Sequence, residues 1–559
     1  MTQDAPRDTV VPLSRFRAAL ARPRGVRRIE ALLSAQNPAE AVGGLSVLEL
    51  HELVSEVGLA DSYELLALAT GEQVRGCLDI EIWERDELDV SRAVPWLRAA
   101  LAAGYERFGE IWATLDTELA ALLITRLARV YDTTLEEAPP EDSQAPVYKT
   151  PDTFFCVELT TEDEDDAQLA LELLESLYRA DPELARHTLL CARSEPTTEL
   201  AEMSYRWRAG RMADLGYVDY YEALAVFRPL PVEHVQIGEG TAEPADPALE
   251  GDEARAPRAL PALLLDVAVG REFLARTLDR ITDAAEASRI EAALVLLVNK
   301  VLSASRVRPG DPEARAAGTQ HATSTLALGL ELVSGSDPDL ATEALRTISL
   351  TRLHRVGHTA TLPLARLARA LAPRAQAAGD ADAALLGALL GARPWYPVCL
   401  DEPGAHGIRP FESRADVRRA AEAVTRLALR VAAADALGAS LLEAGEGGDH
   451  PELDDHIRTA LARVVAGGAL SAAPLAPAEI EALVRSARGG QFPDEAKDRA
   501  KGAFTDHLRA AQVSAGMEYV PDLMAAWLSE LEATFSPLSD TEDVDPAMLA
   551  GVVCAPREG

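Results

Sequence analysis

Aromatic residues are scarce: Phe, Trp and Tyr make up 5% of the 559 residues. Sandwiches and barrels lean on aromatic and β-branched side chains, so this scarcity argues against them. Heavy use of Ala, the best helix former, argues for packed helices. There are five cysteines, Cys77, Cys156, Cys191, Cys399 and Cys554, an odd count with no CxxC pair. A secreted disulfide scaffold is thereby excluded, and no two of them have zinc-ligand spacing. Such scattered thiols behave as small buried hydrophobes in a reducing compartment. No apolar run reaches the ~18 residues that a membrane span needs. The best, Ala292–Leu302, is too short and contains Asn299 and Lys300. The opening MTQDAPRDTV holds no apolar signal-peptide core. A cytoplasmic protein without membrane insertion is expected. Phosphate-loop, GxSxG, spaced GxGxxG, EF-hand and DNA-reading motifs are all missing, so no catalytic residue and no cofactor is assigned.

What is present is acid. Asp and Glu number 90 against 54 Lys and Arg, a formal charge of −36. Such a chain repels phosphate backbones, so nucleic acid is not an expected partner. Nearly all the bases are Arg, the lysines being Lys149, Lys300, Lys497 and Lys501. Two basic islands interrupt the acidity. Seven arginines and one acid lie between Arg7 and Arg28; Arg346, Arg352, Arg355, Arg366, Arg369 and Arg374 lie in an acid-free stretch from Ala344 to Gly379. Apolar residues, at 48%, supply ample cores, and the length predicts three or four domains.

Leu45, Leu48, Leu50, Leu53, Val54 and Val57 keep helical spacing, with Gly58 as C-cap. Asp61 and Glu64 have capping-box spacing before a second short helix, Tyr63 to Ala69, and Thr70 starts a third. These short helices predict a superhelical stack over residues 1–137. Helical stretches follow at Val94–Ala103 and Asp116–Val130. Ala138–Asp152 is a Pro-rich linker. Thr153–Leu159 (TFFCVEL) is the best strand candidate, equally compatible with an extended connector. Residues 153–237 form a helical subdomain in which Asp181-Pro182 caps a helix. Gly238 to about residue 259 is acidic and rich in Pro and Gly, and is expected to be a disordered linker. A second lobe spans 260–442, with helices Glu272–Val301, Asp339–Leu345 and one from the Ser413 cap to Leu442. A C-terminal helical piece covers 443–535, and 536–559 reads as a loose tail.

Four features carry candidate chemistry. The first is the polar-aromatic cluster Tyr205, Arg206, Trp207, Arg208, Arg211, Asp214, Tyr217, Asp219, Tyr220, Tyr221 and Glu222. Tyr and Trp bury area while keeping a polar end, and Arg pairs or stacks with both, so it is either a binding surface or a helix–helix joint. The second is His354 and His358 (HRVGH), one helical turn apart as zinc ligands would be, but lacking the HExxH glutamate and weakened by Gly357. Around them Arg352, Arg355, Arg366 and Arg369 suit an anion or an acidic partner, or form a solvated face. The third is the acidic run Glu162–Asp166, a divalent-cation site or simply acids on a helix dipole after a Thr160 or Thr161 cap. The fourth is DHPELDDH, residues 449–456, with metal-capable side chains at a helix start. The irregular loop Asp401–Pro410 is a weaker pointer.

Five segments together resemble a bacterial family of unknown function, domain-of-unknown-function family 6178: Leu45–Trp83, Val94–Gly104, Thr150–Leu159, Ser204–Phe227 and Ile408–Ala420. The resemblance covers roughly Leu13 to Leu442 and implies no activity, cofactor or catalytic residue. Pro38–Ile80 alone is similar to the superhelical cytoplasmic N-domain of MgtE-type magnesium transporters, a likeness that implies an architecture. The expectation is an all-α protein of stacked short helices, in two main lobes joined by a disordered acidic linker. Its expected role is a scaffold or regulatory interaction module with an unidentified protein partner. The alternatives are an enzyme using His354 and His358, and a divalent-cation-responsive sensor.

Overall fold

The computed structural model describes residues 25–84, 86–161, 163–238, 272–373, 379–391, 393–439, 451–487, 490–538 and 549–555. Arginines 7–24, Glu162, the linker at 239–259, Arg374, Asp449 and His450 lie outside the described residues. Helices dominate and strands are few and short, so the fold is predominantly all-α. The chain divides into two compact units, Met1–Gly357 and His358–Gly559.

In the first unit, short helices form where capping boxes start them. Ser46 accepts from the Glu49 amide at 3.2 Å while Glu49 accepts from the Ser46 amide at 3.1 Å, opening Val47–Val57. Thr70 and Gln73 do the same for Gly71–Glu81. Gly58 (φ +97°) closes the first helix as expected. Asp61 does not cap: a 3-10 turn, Ala60–Ser62, leads into Tyr63–Leu68, and Ser62 makes no capping bond. The inward stripes of these helices join Trp96, Phe108, Trp112 and Leu119–Ile124 in one core.

The helix expected to run to Val130 stops at Leu127. Residues Ala128–Asp132 form a strand instead, paired antiparallel with Phe155–Leu159. Val147–Lys149 pairs on the other side of that central strand, within the stretch expected to be a linker. The switch follows the side chains: Val130 and Tyr131 stand opposite Val157 and Cys156, where β-branched and aromatic residues pack best. Asp163, not Thr160 or Thr161, caps the next helix, Glu164–Ala180, accepting from the amides of Asp165 and Asp166 at 2.9 and 3.2 Å. Asp181 caps Pro182–Ser194, and Thr197–Asp214 follows.

The helix expected at 272–301 is two. Glu272–Leu278 ends in a turn, and Asp283 caps Ala284–Ala304 by accepting from Glu286 N at 2.8 Å. With Pro312–Ser334 and Pro338–Thr347 it builds a second core around Leu294, Leu297, Val301, Leu326 and Leu330. Gly329 and Gly357 let two backbones touch: a Cβ on Gly329 would stand 1.8 Å from the Leu353 carbonyl oxygen, and one on Gly357 2.0 Å from that of Thr325. Gly357 is thus a packing residue at a helix crossing.

In the second unit Ser413 caps Arg414–Ala436, which ends in a turn at Gly438 (φ +67°) instead of continuing to Leu442. Helices Leu453–Val465, Pro477–Ser486, Asp494–Ala510 and Val520–Phe535 surround Phe504, Trp527 and Phe535. Residues 549–555, within the stretch expected to be a loose tail, pack on this core. The Leu475 amide donates to the Val553 carbonyl at 2.8 Å, and Leu549 and Val552 are buried in this core.

Candidate functional site

Within the first unit, the helix Thr197–Asp214 buries Leu200, Ser204 and Met212. Its Arg211 ties three elements together. The guanidinium forks onto Asp79, Nε to Oδ2 at 2.6 Å and Nη2 to Oδ1 at 3.0 Å, and reaches Asp116 at 2.7 and 3.0 Å. Asp79 is buried near the C-terminal end of Gly71–Glu81; Asp116 is the N-cap residue of Thr117–Leu127 and makes no capping bond. Arg208, one turn before, donates Nε–H to the Asp79 carbonyl at 2.7 Å and lies 5.5 Å from the Trp83 ring. Burial pushes the Asp79 carboxyl up against the pull of Arg211. Burial also works against the Arg211 charge, but its bonds to Asp79 and Asp116 outweigh that and hold the guanidinium above its ordinary range.

The cluster read from the sequence therefore divides. Arg208 and Arg211 are half-buried at the joint and Tyr217 is buried. Tyr220 is half-buried, with Arg306 4.1 Å above its ring. Arg206, Asp214, Asp219 and Glu222 are exposed, as are Tyr205 (38%), Trp207 (50%) and Tyr221 (77%). At 100° per residue, Tyr205 and Trp207 flank the buried stripe on opposite sides. Asp219 accepts from the Tyr221 amide at 2.8 Å and starts the short turn Tyr220–Ala223. Gly216 (φ +85°) makes the preceding bend; a Cβ there would meet Leu296 at 2.9 Å. Asp79, Trp83, Asp116 and Arg306 escaped the sequence reading. An acid on a helix of mostly buried residues was the available signal for Asp79, but no spacing rule links it to Arg211, 132 positions away.

A second network joins the same helix end. His51 is buried, with Nε2 2.7 Å from Glu81 and Nδ1 3.1 Å from an Arg315 nitrogen. Arg only donates, so Nδ1 accepts and Nε2 carries the proton: the imidazole is neutral. Burial lowers its pKa more than the hydrogen bond to Glu81 raises it. Gly310 packs beside the Glu81 carboxylate, where a Cβ would stand 2.8 Å from an oxygen.

The other candidates are held by their own surroundings. His354 is fully buried, Nδ1 lying 3.3 Å from the Val226 carbonyl oxygen and its ring 5.6 Å from that of Phe227. In the second unit His358 is buried too, and burial, helped by the Arg393 charge, lowers its pKa to about 4. Arg352 donates to the His234 carbonyl, and Arg355 to those of Arg228 and Pro229. Arg366 and Arg369 are exposed. Asp163 of the acidic run is spent as a cap. Among the described residues no group of three or more His, Cys, Asp or Glu is arranged to hold a metal ion. The loop after Tyr396 is pinned by charge: Arg409 forks onto buried Asp416 at 2.8 and 2.9 Å and reaches Asp401 at 3.0 Å, which also accepts from the Tyr396 hydroxyl at 2.8 Å. Arg409 stacks 4.0 Å from the Tyr396 ring.

The two segments that dock here, Leu45–Trp83 and Ser204–Phe227, are among those that carry the family resemblance. No curated protein and no solved structure matches the chain, so the likeness of Pro38–Ile80 to the magnesium-transporter N-domain has no comparison behind it. A family model does match, over residues 6–555. The chain belongs to the family of unknown function DUF6178.

Proposed function

We propose that this protein is a non-enzymatic scaffold or regulatory interaction protein of the cytoplasm. Its partner, another protein, takes the exposed rim of the Thr197–Asp214 helix and the turn at Tyr221. Trp207 carries this reading. It is half exposed, on a helix that Arg211 pins to two carboxylates. Trp, Tyr and Arg dominate the energetics of protein interfaces, and an anchor already held in place loses little entropy on binding. Arg206, Tyr205 and Tyr221 lie exposed on the same segment. The five cysteines are all free, which fits a reducing compartment. Among the described residues no helix is long and apolar enough to cross a membrane.

The test is capture of the tagged full-length protein at native expression level, with mass spectrometry, beside Trp207→Ala. The expected result is a stoichiometric partner that W207A loses while its melting temperature stays unchanged. A partner retained by W207A, or none above background, overturns the reading.

A further inference from the structure

We propose that His51 is a proton-operated latch: on taking up a second proton its ring releases Arg315, and the start of Pro312–Ser334 loosens from Val47–Val57 and Gly71–Glu81. Three elements meet at this ring. His51 lies on Val47–Val57 and is 1% exposed. Its Nε2 donates to Glu81, at the end of Gly71–Glu81, at 2.7 Å. Its Nδ1 accepts from Arg315, on the first turn of Pro312–Ser334, at 3.1 Å. The same Arg315 nitrogen donates to the Pro309 carbonyl at 3.2 Å, and Gly310 packs on the Glu81 carboxylate. Leu48 and Ile80, from the first two helices, are buried in the core that Pro312–Ser334 helps to build, and Val47 packs against both cores of this unit. The ring therefore sits in the seam between those cores.

Only the neutral ring satisfies both partners. A guanidinium donates and never accepts, so a protonated Nδ1 would face a donor and a like charge. Turning the ring over presents an N–H to Arg315 again, so the second proton costs this bond in either orientation. Burial opposes that proton most; the bond to Glu81 favours it, and the Arg315 charge opposes it. Of the other titratable groups around the seam, Tyr217 is buried and feels the Arg315 charge, and Cys77 and Asp79 share the helix of Glu81. Glu49 and Glu52 share that of His51, with Glu49 paired to Arg28, and Asp311 is the cap of Pro312–Ser334. Once the seam opens, water reaches the ring and its proton affinity returns to the ordinary value of 6.5. The latch is therefore fully closed above that pH and is lost as pH falls below it. It lies in the interior and does not depend on the partner proposed for Trp207.

The test is hydrogen exchange of the full-length protein, read by mass spectrometry over residues 47–57 and 309–320, from about pH 7.5 to about pH 5.5 at constant ionic strength. Rates are divided by the intrinsic exchange rate at each pH, which leaves the opening equilibrium. That equilibrium should rise several-fold across the range, up to about tenfold, the limit for a histidine of ordinary pKa that binds its proton only when open. His51→Gln can donate to Glu81 and accept from Arg315 but takes no proton, so it should lose the rise. Asp79, whose carboxyl burial also pushes up, is intact in H51Q, so a rise retained there belongs to Asp79 and not to the latch. Should H51Q fold poorly, Arg315→Met decides the matter. It removes the opposing cation and leaves Glu81 to hold the protonated ring, so the rise should shrink by about half or more; a merely structural role would speed exchange equally at every pH and keep the rise. A rise below about twofold in the parent protein, or one retained in full by H51Q or by R315M, overturns the proposal.

Discussion

Gly329→Ala is the sharpest test of how the first unit is packed. The added methyl would stand 1.8 Å from the Leu353 carbonyl oxygen, 2.7 Å from its carbon and 2.9 Å from the Gly357 nitrogen. All three are backbone atoms, so no rotamer change relieves the clash. Ordinary van der Waals contact begins near 3.4 Å, leaving about 1.6 Å to be gained by moving one helix off the other. A gap of even 0.5–1 Å forfeits roughly a quarter to a half of each dispersion contact. Leu326 and Leu330 on Pro312–Ser334, and Leu353 and Val356 on the helix Leu350–Leu371, are all buried. Overpacking typically costs about 1–3 kcal/mol, and an unyielding backbone obstacle puts this case at about 3 kcal/mol or above. Gly210→Ala is the control in the same unit, since it sits in a helix and a Cβ there meets nothing within 4 Å. It should stabilise by about 0.5–1 kcal/mol through helix propensity. Urea unfolding followed by circular dichroism measures both. If G329A falls within about 1 kcal/mol of the parent, the close crossing is wrong.

Other outcomes follow from the same structure. Arg211→Met should cost about 3–5 kcal/mol in urea unfolding, because it leaves the Asp79 carboxylate buried without its cation; a loss below about 1 kcal/mol would mean that the joint does not depend on the pair. His358 ionises near pH 4 when folded, against an ordinary value of 6.5, so the unfolded chain takes up its proton first. Its contribution is complete above pH 6.5 and is lost as pH falls towards 4, by about 3 kcal/mol in all. His358→Gln should flatten that part of the stability–pH profile, and an unchanged slope would refute the burial argument. Asp163→Ala removes the cap of Glu164–Ala180 and should cost about 1 kcal/mol without altering any response to magnesium; a magnesium effect lost with this change would revive the cation site.

Much of the helical framework was legible because its signals are local. Thr70, Asp181 and Ser413 bond to amides within three residues, so the caps stand next to the helices they start. Some expectations failed where a partner distant in sequence took over. Val130 continues a helical stripe on paper, but Val157 draws it into a sheet. Gly357 reads as a weak point in a helix when only its neighbours in sequence are considered; the Thr325 carbonyl packed against it makes it a contact. The site behaves the same way. The Tyr205–Tyr221 cluster stood out by composition, since aromatics and arginines are concentrated there in a chain poor in aromatics. Which of its members face solvent was decided by Asp79, Asp116 and Trp83, brought up by folding from roughly 90–130 positions away. Composition therefore determined the all-α class, and periodicity and capping several helix starts, these last being properties of adjacent residues. Charge pairing, backbone crossings and the exposure of Trp207 were settled only by the tertiary structure, because each depends on residues with no sequence relation to one another.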